Sequence, residues 1–340
     1  MLKRINERIY VAQGSKDELR KEYPACMADS RFLIAIEAET RFLPIKMQQI
    51  DSFCAMLSSA LENTPANEGK PITIGSGSKS AEALTNACLL VGSFLILHMG
   101  MTSEDVGEAF QELSDTFVPH AAVSNTGGRH IISVHDCWQA LDQAMRLGWF
   151  VAPTSTAEPL LDVDEHAHYA SAANGAVHLV IPGALIFFPT PADDLVAEGR
   201  EWADSAAADG SIARRFSPGF YASLLADLGV STVVCLGSGS PATARALRAR
   251  GVAAVDLALE PAAPAAAPGV SALAAGVVAL DRLLALAAAG PGAVAVHSGA
   301  GAEWPEAAGA LAAAFLVRRC GFAGAAAVAW LHLLAPWVLL

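Results

Sequence analysis

Apolar runs of two lengths alternate through the second half of the chain, and glycine or proline closes most of them. Residues 177–181 and 184–188 are short runs split by Pro182-Gly183, a turn signal. Residues 216–228 have helical spacing and stop at Gly229. Residues 232–236 are continuously apolar, as expected of a strand buried on both faces. A helix over 241–250 closed by Gly251, a strand over 253–259, a Pro/Ala loop over 262–268 and a helix over 271–289 ended by Gly290-Pro291 follow in order. A strand over 293–296 and a helix over 307–317 complete the series. Strand alternating with helix predicts a sheet covered by helices on both faces.

The first half carries a weak echo of this ending. Ile72-Thr73-Ile74-Gly75-Ser76-Gly77-Ser78 leads into an apolar helix over 81–98, a turn at Gly100 and a second helix over 103–113. The later copy runs from residue 293 to Gly301, through a helix over 307–319 and a turn at Gly321, to a helix over 324–334. The loop-to-turn spacing is 25 positions from Gly75 to Gly100 and 24 from His297 to Gly321. A duplicated α/β domain explains this, and so does chance similarity between two α/β units. Between the halves, residues 161–170 predict a helix with acidic residues in its first turn, where they favour the helix dipole. The expected division is an N-terminal domain over 1–152, a linker helix over 153–175 and a C-terminal domain over 176–340.

Composition narrows the class. The chain has 340 residues, 53% of them apolar, enough for two packed cores. A net charge of −12 argues against a nucleic-acid surface, and no basic cluster contradicts it. The six cysteines, at 26, 54, 88, 137, 235 and 320, have neither disulfide-framework nor zinc-site spacing. Lys3, Arg4, Glu7 and Arg8 are followed by no apolar core, so no signal peptide is read and a cytoplasmic or nuclear setting is expected. The apolar windows 270–289 and 307–340 are interrupted by Asp281-Arg282 and Arg318-Arg319, which favours buried core helices over membrane spans. Every lysine lies at or before Lys79, and alanine dominates after about residue 240. That drift blurs periodicity in the last third. No cofactor or metal is implied: His166 and His168 stand two apart on a helix and diverge. The Gly75 to Ser80 loop lacks phosphate-loop spacing, and Gly237-Ser238-Gly239-Ser240 reads as a connecting turn.

The candidate chemistry sits where the strand over 293–296 ends. Val296-His297-Ser298-Gly299-Ala300-Gly301-Ala302-Glu303-Trp304 joins it to the next helix, a shape that presents backbone N–H groups to a phosphate. It resembles the cysteine-phosphatase pattern H-C-x-x-G-x-G-R-[ST], with Ser298 where the Cys stands and no Arg before Arg318. Asp162-Val163-Asp164-Glu165-His166-Ala167-His168-Tyr169, Asn174-Gly175 and Ile181-Pro182-Gly183 resemble the interdomain helix and second-domain entry of the Cdc14 family of dual-specificity protein phosphatases. Residues 81–110 and 136–150 resemble that family's N-terminal domain, and the likeness runs over roughly 8–337.

The resemblance implies two tandem phosphatase-like α/β domains, each a central sheet flanked by helices, joined by a linker helix, with only the second catalytic. It implies a thiolate nucleophile, an Arg clamp, a carboxylic acid and a water-positioning loop. Ser298 takes the nucleophile position, and Ser298, Gly299, Ala300, Gly301 and Ala302 form the phosphate-binding loop. The clamp falls on Trp304, or on Ala307 if three residues are inserted. Glu303 sets a carboxylate near the phosphate position, and Glu260 stands one residue before the family's acid. The glutamines of the water-positioning loop are missing after Ala335-Pro336. The first reading is therefore a catalytically impaired member acting through a phosphoprotein or protein partner, without nucleic acid or membrane. An alternative is an active phosphoprotein phosphatase whose sequence is altered around 298–306 and at the C-terminus, as by a wrong exon boundary. A relic without a selected role is the third. Partner identity and oligomeric state are not read from the sequence.

Overall fold

Residues 1–35, 45–62, 71–123, 129–153, 155–206, 212–257, 270–288, 292–298 and 306–334 are described by a computed structural model of the chain. They group into two compact units. The first takes residues 1–123, 129–159 and 322–333; the second takes 160–321 with Leu334 onward and residues 124–128.

In the first unit the order is β1 (Leu2–Arg4), β2 (Ile9–Ala12), α1 (Lys16–Glu22), α2 (Pro24–Asp29), β3 (Arg31–Ile34), α3 (Met47–Glu62), β4 (Ile72–Gly75), α4 (Ala81–Leu97) and α5 (Ser103–Ala109). A 3₁₀ turn (Gln111–Thr116), the hairpin β5 (His120–Val123) and β6 (Arg129–Ile132), and α6 (Val134–Arg146) follow. The sheet order is β1-β2-β4-β3, with β4 parallel to both β2 and β3. The expected second helix over 103–113 is thus α5 closed by a 3₁₀ turn.

Helix α4 is the centre of this unit. It is apolar on nearly every side and buried from Ala83 to Leu97, as such a helix must be. Two of its polar side chains are satisfied locally: Thr85 Oγ1 donates to the Ala81 carbonyl at 2.8 Å and Ser93 Oγ to the Leu89 carbonyl at 2.7 Å. Gly92 lies against the fully buried Trp138 of α6, whose Nε1 donates to the Leu89 carbonyl at 3.3 Å.

The second unit runs α7 (Val163–Ala170), a 3₁₀ turn (Ala172–Asn174), β7 (His178–Ile181), β8 (Leu185–Phe187), α8 (Asp194–Ala197), β9 (Trp202–Ala206), β10 (Ile212–Phe216) and α9 (Pro218–Asp227). Then come β11 (Val230–Leu236), α10 (Pro241–Ala249), β12 (Ala253–Leu257), α11 (Val270–Ala288), β13 (Ala293–Ser298) and α12 (Glu306–Cys320). The sheet order is β12-β11-β13-β8-β7, parallel except for β7. Helices α9 and α10 pack together, as do α11 and α12. The expected strand–helix alternation is present, and α7 has its N-cap at Asp162 with Asp164 and Glu165 in the first turn.

Three elements depart from the sequence reading. The antiparallel ribbon β9–β10 has no counterpart in it. Its alanines stand on both faces, so alternation is invisible. Helix α11 is not a buried core helix: 22% of Ser271–Ala288 is buried, and the segment is long and apolar enough to cross a membrane by length and composition. Gly276, Val277, Leu280 and Ala287 are its buried positions, and Asp281 pairs with Arg319 of α12. The remaining surface mixes alanines with the exposed Val278 and Leu286. The last helix, α13 (Gly324–Leu334), belongs in linear order to 176–340, yet residues 322–333 group with the first unit. There the Trp330 ring lies 5.0 Å from that of Trp149, and Phe322 stacks on Trp149 at 5.7 Å.

Candidate phosphate-loop site

Strand β13 is the middle of the five-stranded sheet and is buried at all six positions. Only small and β-branched residues, with His297 and Ser298 at its end, suit a strand covered on both faces. In such parallel sheets the carboxyl ends of the strands are where ligands are held. Side chains alternate along the strand. Ala293 and Ala295 join the core under α9 and α10, so His297 falls on that face. Ser298 falls on the other, with Val294 and Val296.

His297 is 3% exposed and packs on Phe188, ring centroids 5.0 Å apart. Its Nδ1 donates to the carbonyl of Ser298 at 2.5 Å, not to the hydroxyl. Burial pushes the imidazole down to about 4, against the raising effects of that carbonyl, Asp256 and Asp193. Folding therefore excludes a proton that the unfolded chain accepts. The stabilisation is complete above the unfolded value of about 6.5 and is lost as pH falls from there toward 4, by about 3 kcal/mol in all. In the His297→Phe variant the drop in urea midpoint between pH 7 and pH 4.5 should shrink; an unchanged drop assigns the acid sensitivity to other groups.

Ser298 is 2% exposed. Its Oγ lies 2.7 Å from Thr190 Oγ1, which also donates to the Ser298 carbonyl at 3.0 Å. Thr190 stands between Pro189 and Pro191, just beyond β8, the strand paired to β13. No ionisable side chain bonds to Ser298 Oγ among the described residues. The Thr190→Val change strands a buried hydroxyl and should cost about 1–3 kcal/mol. Adding Ser298→Ala should recover most of that, a coupling that denaturant unfolding of the double-mutant cycle will read. Independent, additive effects would show that the two hydroxyls do not pair.

The other loop positions, Gly299, Ala300, Gly301 and Ala302, lie outside the described residues, as do Glu303, Trp304 and the acid candidate Glu260. The backbone resumes in α12 at Glu306, so the alternative clamp position, Ala307, is helical. Sequence reasoning missed Thr190. Its only signal is the Pro-Thr-Pro that ends a strand run, and pairing with Ser298 depends on sheet order.

Two neighbouring features hold the entry to this unit. Tyr221 Oη donates to the carbonyl of Gly175 at 2.8 Å, and Gly175 adopts φ +117°, a conformation that favours glycine. His166 is buried while His168 is exposed and bonds Asn174, so the two do diverge. In the first unit the Gly75 to Ser80 loop spends its polar groups on itself and on neighbouring residues 13–18. Gly14 N–H donates to Ser76 Oγ at 3.0 Å and Ser76 Oγ to the Ser78 carbonyl at 2.6 Å. Lys79 lies 3.9 Å from Glu18. Among the described residues no three His, Cys, Asp or Glu side chains are placed to hold a metal ion.

Sheets flanked by helices in two successive units place the chain in the mixed α/β class. Residues 3–144 match the family described as dual specificity protein phosphatase, N-terminal half. Over that half the chain is similar to Cdc14-like dual-specificity phosphatases, at modest identity. Dual specificity protein phosphatase CDC14B of Mus musculus is 24% identical over 150 residues, 44% of this chain and 29% of that protein. CDC14AB of Danio rerio is 24% identical over 151 residues, 44% and 23% of the two chains. The tyrosine-protein phosphatase cdc-14 of Caenorhabditis elegans is 24% identical over 110 residues, 31% and 14%. These matches span less than a third of each relative's length. A protein tyrosine phosphatase structure from Leishmania major aligns with a TM-score of 0.29 and 18% identity over 43% of this chain and 75% of that one, too loose a likeness to bear on the fold.

Proposed function

We propose that this chain is a pseudophosphatase, a member of the Cdc14-like family that binds a phosphoprotein or protein partner and does not turn phosphate esters over. The carrying observation is the state of Ser298: its hydroxyl is buried and paired with Thr190, while His297 faces the other side of the sheet and bonds a carbonyl. A serine hydroxyl needs an adjacent base to attack phosphorus, and none of the described residues supplies one. The sequence between Ser298 and Val317 has no Arg to clamp a phosphoryl group. A cytoplasmic or nuclear site of action is part of this reading, and imaging of the tagged chain tests it.

The decisive experiment offers phosphotyrosine and phosphoserine-proline peptides to the purified full chain. Turnover no higher than that of a boiled control is expected. Activity above that control overturns the proposal and favours a working phosphatase. Sequencing the transcript across residues 298–306 separates the two origins, since a spliced Cys and Arg there would restore the catalytic pattern.

A further inference from the structure

The face of the sheet that carries His297 has a crevice of its own. Cys235 of β11 is in register with Asp256 of β12 on one side and with His297 of β13 on the other. In parallel strands, residues in register point to the same face. Asp256, Cys235 and His297 therefore form a row near the carboxyl ends of three adjacent strands, under α10. A crevice of about 190 Å³ follows this row, lined also by Gly239, Thr243 and Arg248.

Its hydrogen-bonding character is specific. The His297 ring is 97% buried, since 3% is exposed, and it lines the crevice. Nδ1 carries the proton given to the Ser298 carbonyl, so Nε2 is left as an acceptor, with no partner among the described residues. Asp256 Oδ1 accepts from Gly239 N–H at 3.1 Å, and its other oxygen has no partner among the described residues. Two acceptors thus stand open. The thiol of Cys235 between them is held protonated by burial and by Asp256, with its value raised to about 11, so it is floor and not nucleophile. Among the described residues, Arg248 and Asp256 are the only two formally charged ones lining the crevice, so their charges sum to zero and give no excess of either sign to draw an ion.

We propose that this crevice is a binding site for a small, neutral, single-ring ligand that donates N–H bonds, an amino-substituted nitrogen heterocycle. The ligand gives its N–H groups to His297 Nε2 and Asp256, and Leu247, Ala244 and Val233 cover its ring. The site lies on the opposite face of β13 from Ser298, and it stands whether or not the chain hydrolyses phosphate esters.

The test titrates the full chain with 2-aminopyrimidine and with 2-(dimethylamino)pyrimidine, the same ring without N–H. The ¹⁵N shift of the His297 ring and of the Gly239 amide report binding. Saturable shifts at millimolar 2-aminopyrimidine are expected, with affinity on the order of a hundred-fold weaker for the dimethyl analogue, which loses both hydrogen bonds at about ten-fold each. The exposed Asp256→Ala variant, whose fold a thermal melt checks, should weaken 2-aminopyrimidine by about ten-fold, the order of one hydrogen bond. His297→Phe keeps the ring volume and should do the same, read on Gly239. Absence of saturation by 20 mM, equal affinity for the two pyrimidines, or preference for propylammonium or propionate overturns the proposal.

Discussion

Replacing Trp138 with alanine should remove about 3–5 kcal/mol from the stability of the first unit, the range for deleting a large buried aromatic. The ring is completely buried, 5.2 Å from Phe110, 6.1 Å edge-on from Phe117 and 5.1 Å from His135. Its indole N–H also occupies the Leu89 carbonyl of α4. Helix and ring approach this closely only because position 92 is glycine: a Cβ there would stand 2.2 Å from Trp138 Nε1. Gly92→Ala should therefore cost about 1–3 kcal/mol by overpacking. In the Trp138→Ala background the same change should cost almost nothing, because the colliding ring is gone. Denaturant unfolding of the four proteins, with the two units followed separately, reads both effects. Parental stability for Gly92→Ala would mean that the indole has room to shift.

The Ser298→Cys variant should stay essentially inactive. A nucleophilic thiol needs a depressed pKa, supplied by loop N–H groups and nearby cations. Here the adjacent imidazole is neutral, and it faces away from position 298. The missing Arg withholds a further factor of about 10² to 10³, the usual loss for one electrostatic stabiliser of the transition state. A covalent phospho-enzyme trapped by rapid quench, or turnover within ten-fold of an intact family member, would locate a clamp elsewhere in the chain. Phosphate or tungstate titration of the same protein tests the backbone loop alone, and failure to saturate at tens of millimolar argues against a retained ligand role.

The parts of the fold that were legible in sequence are those with one physical signal each. Continuous apolar runs marked β11 and β13, and glycines at 229 and 251 closed α9 and α10. The acidic first turn and Asp162 cap marked α7. Where two signals coincide the reading failed. Alanine satisfies both helix and strand, inside and outside, so β9–β10 went unseen and the exposure of α11 was misjudged. At the candidate site, Ser298 and His297 were legible as a damaged motif, while Thr190, 108 residues away, was not.

The sequence by itself determined most of the strand–helix alternation of the second half, the likeness of residues 3–144 to a phosphatase N-terminal half, and the absence of Cys and Arg from the loop, because each is a property of local residue identity. Tertiary structure alone decided that Thr190 meets Ser298 and that Asp256, Cys235 and His297 share one row. Those facts depend on which strands are neighbours and in what register. Pairing across distant segments is set by the closure of the whole core, and no local pattern encodes it.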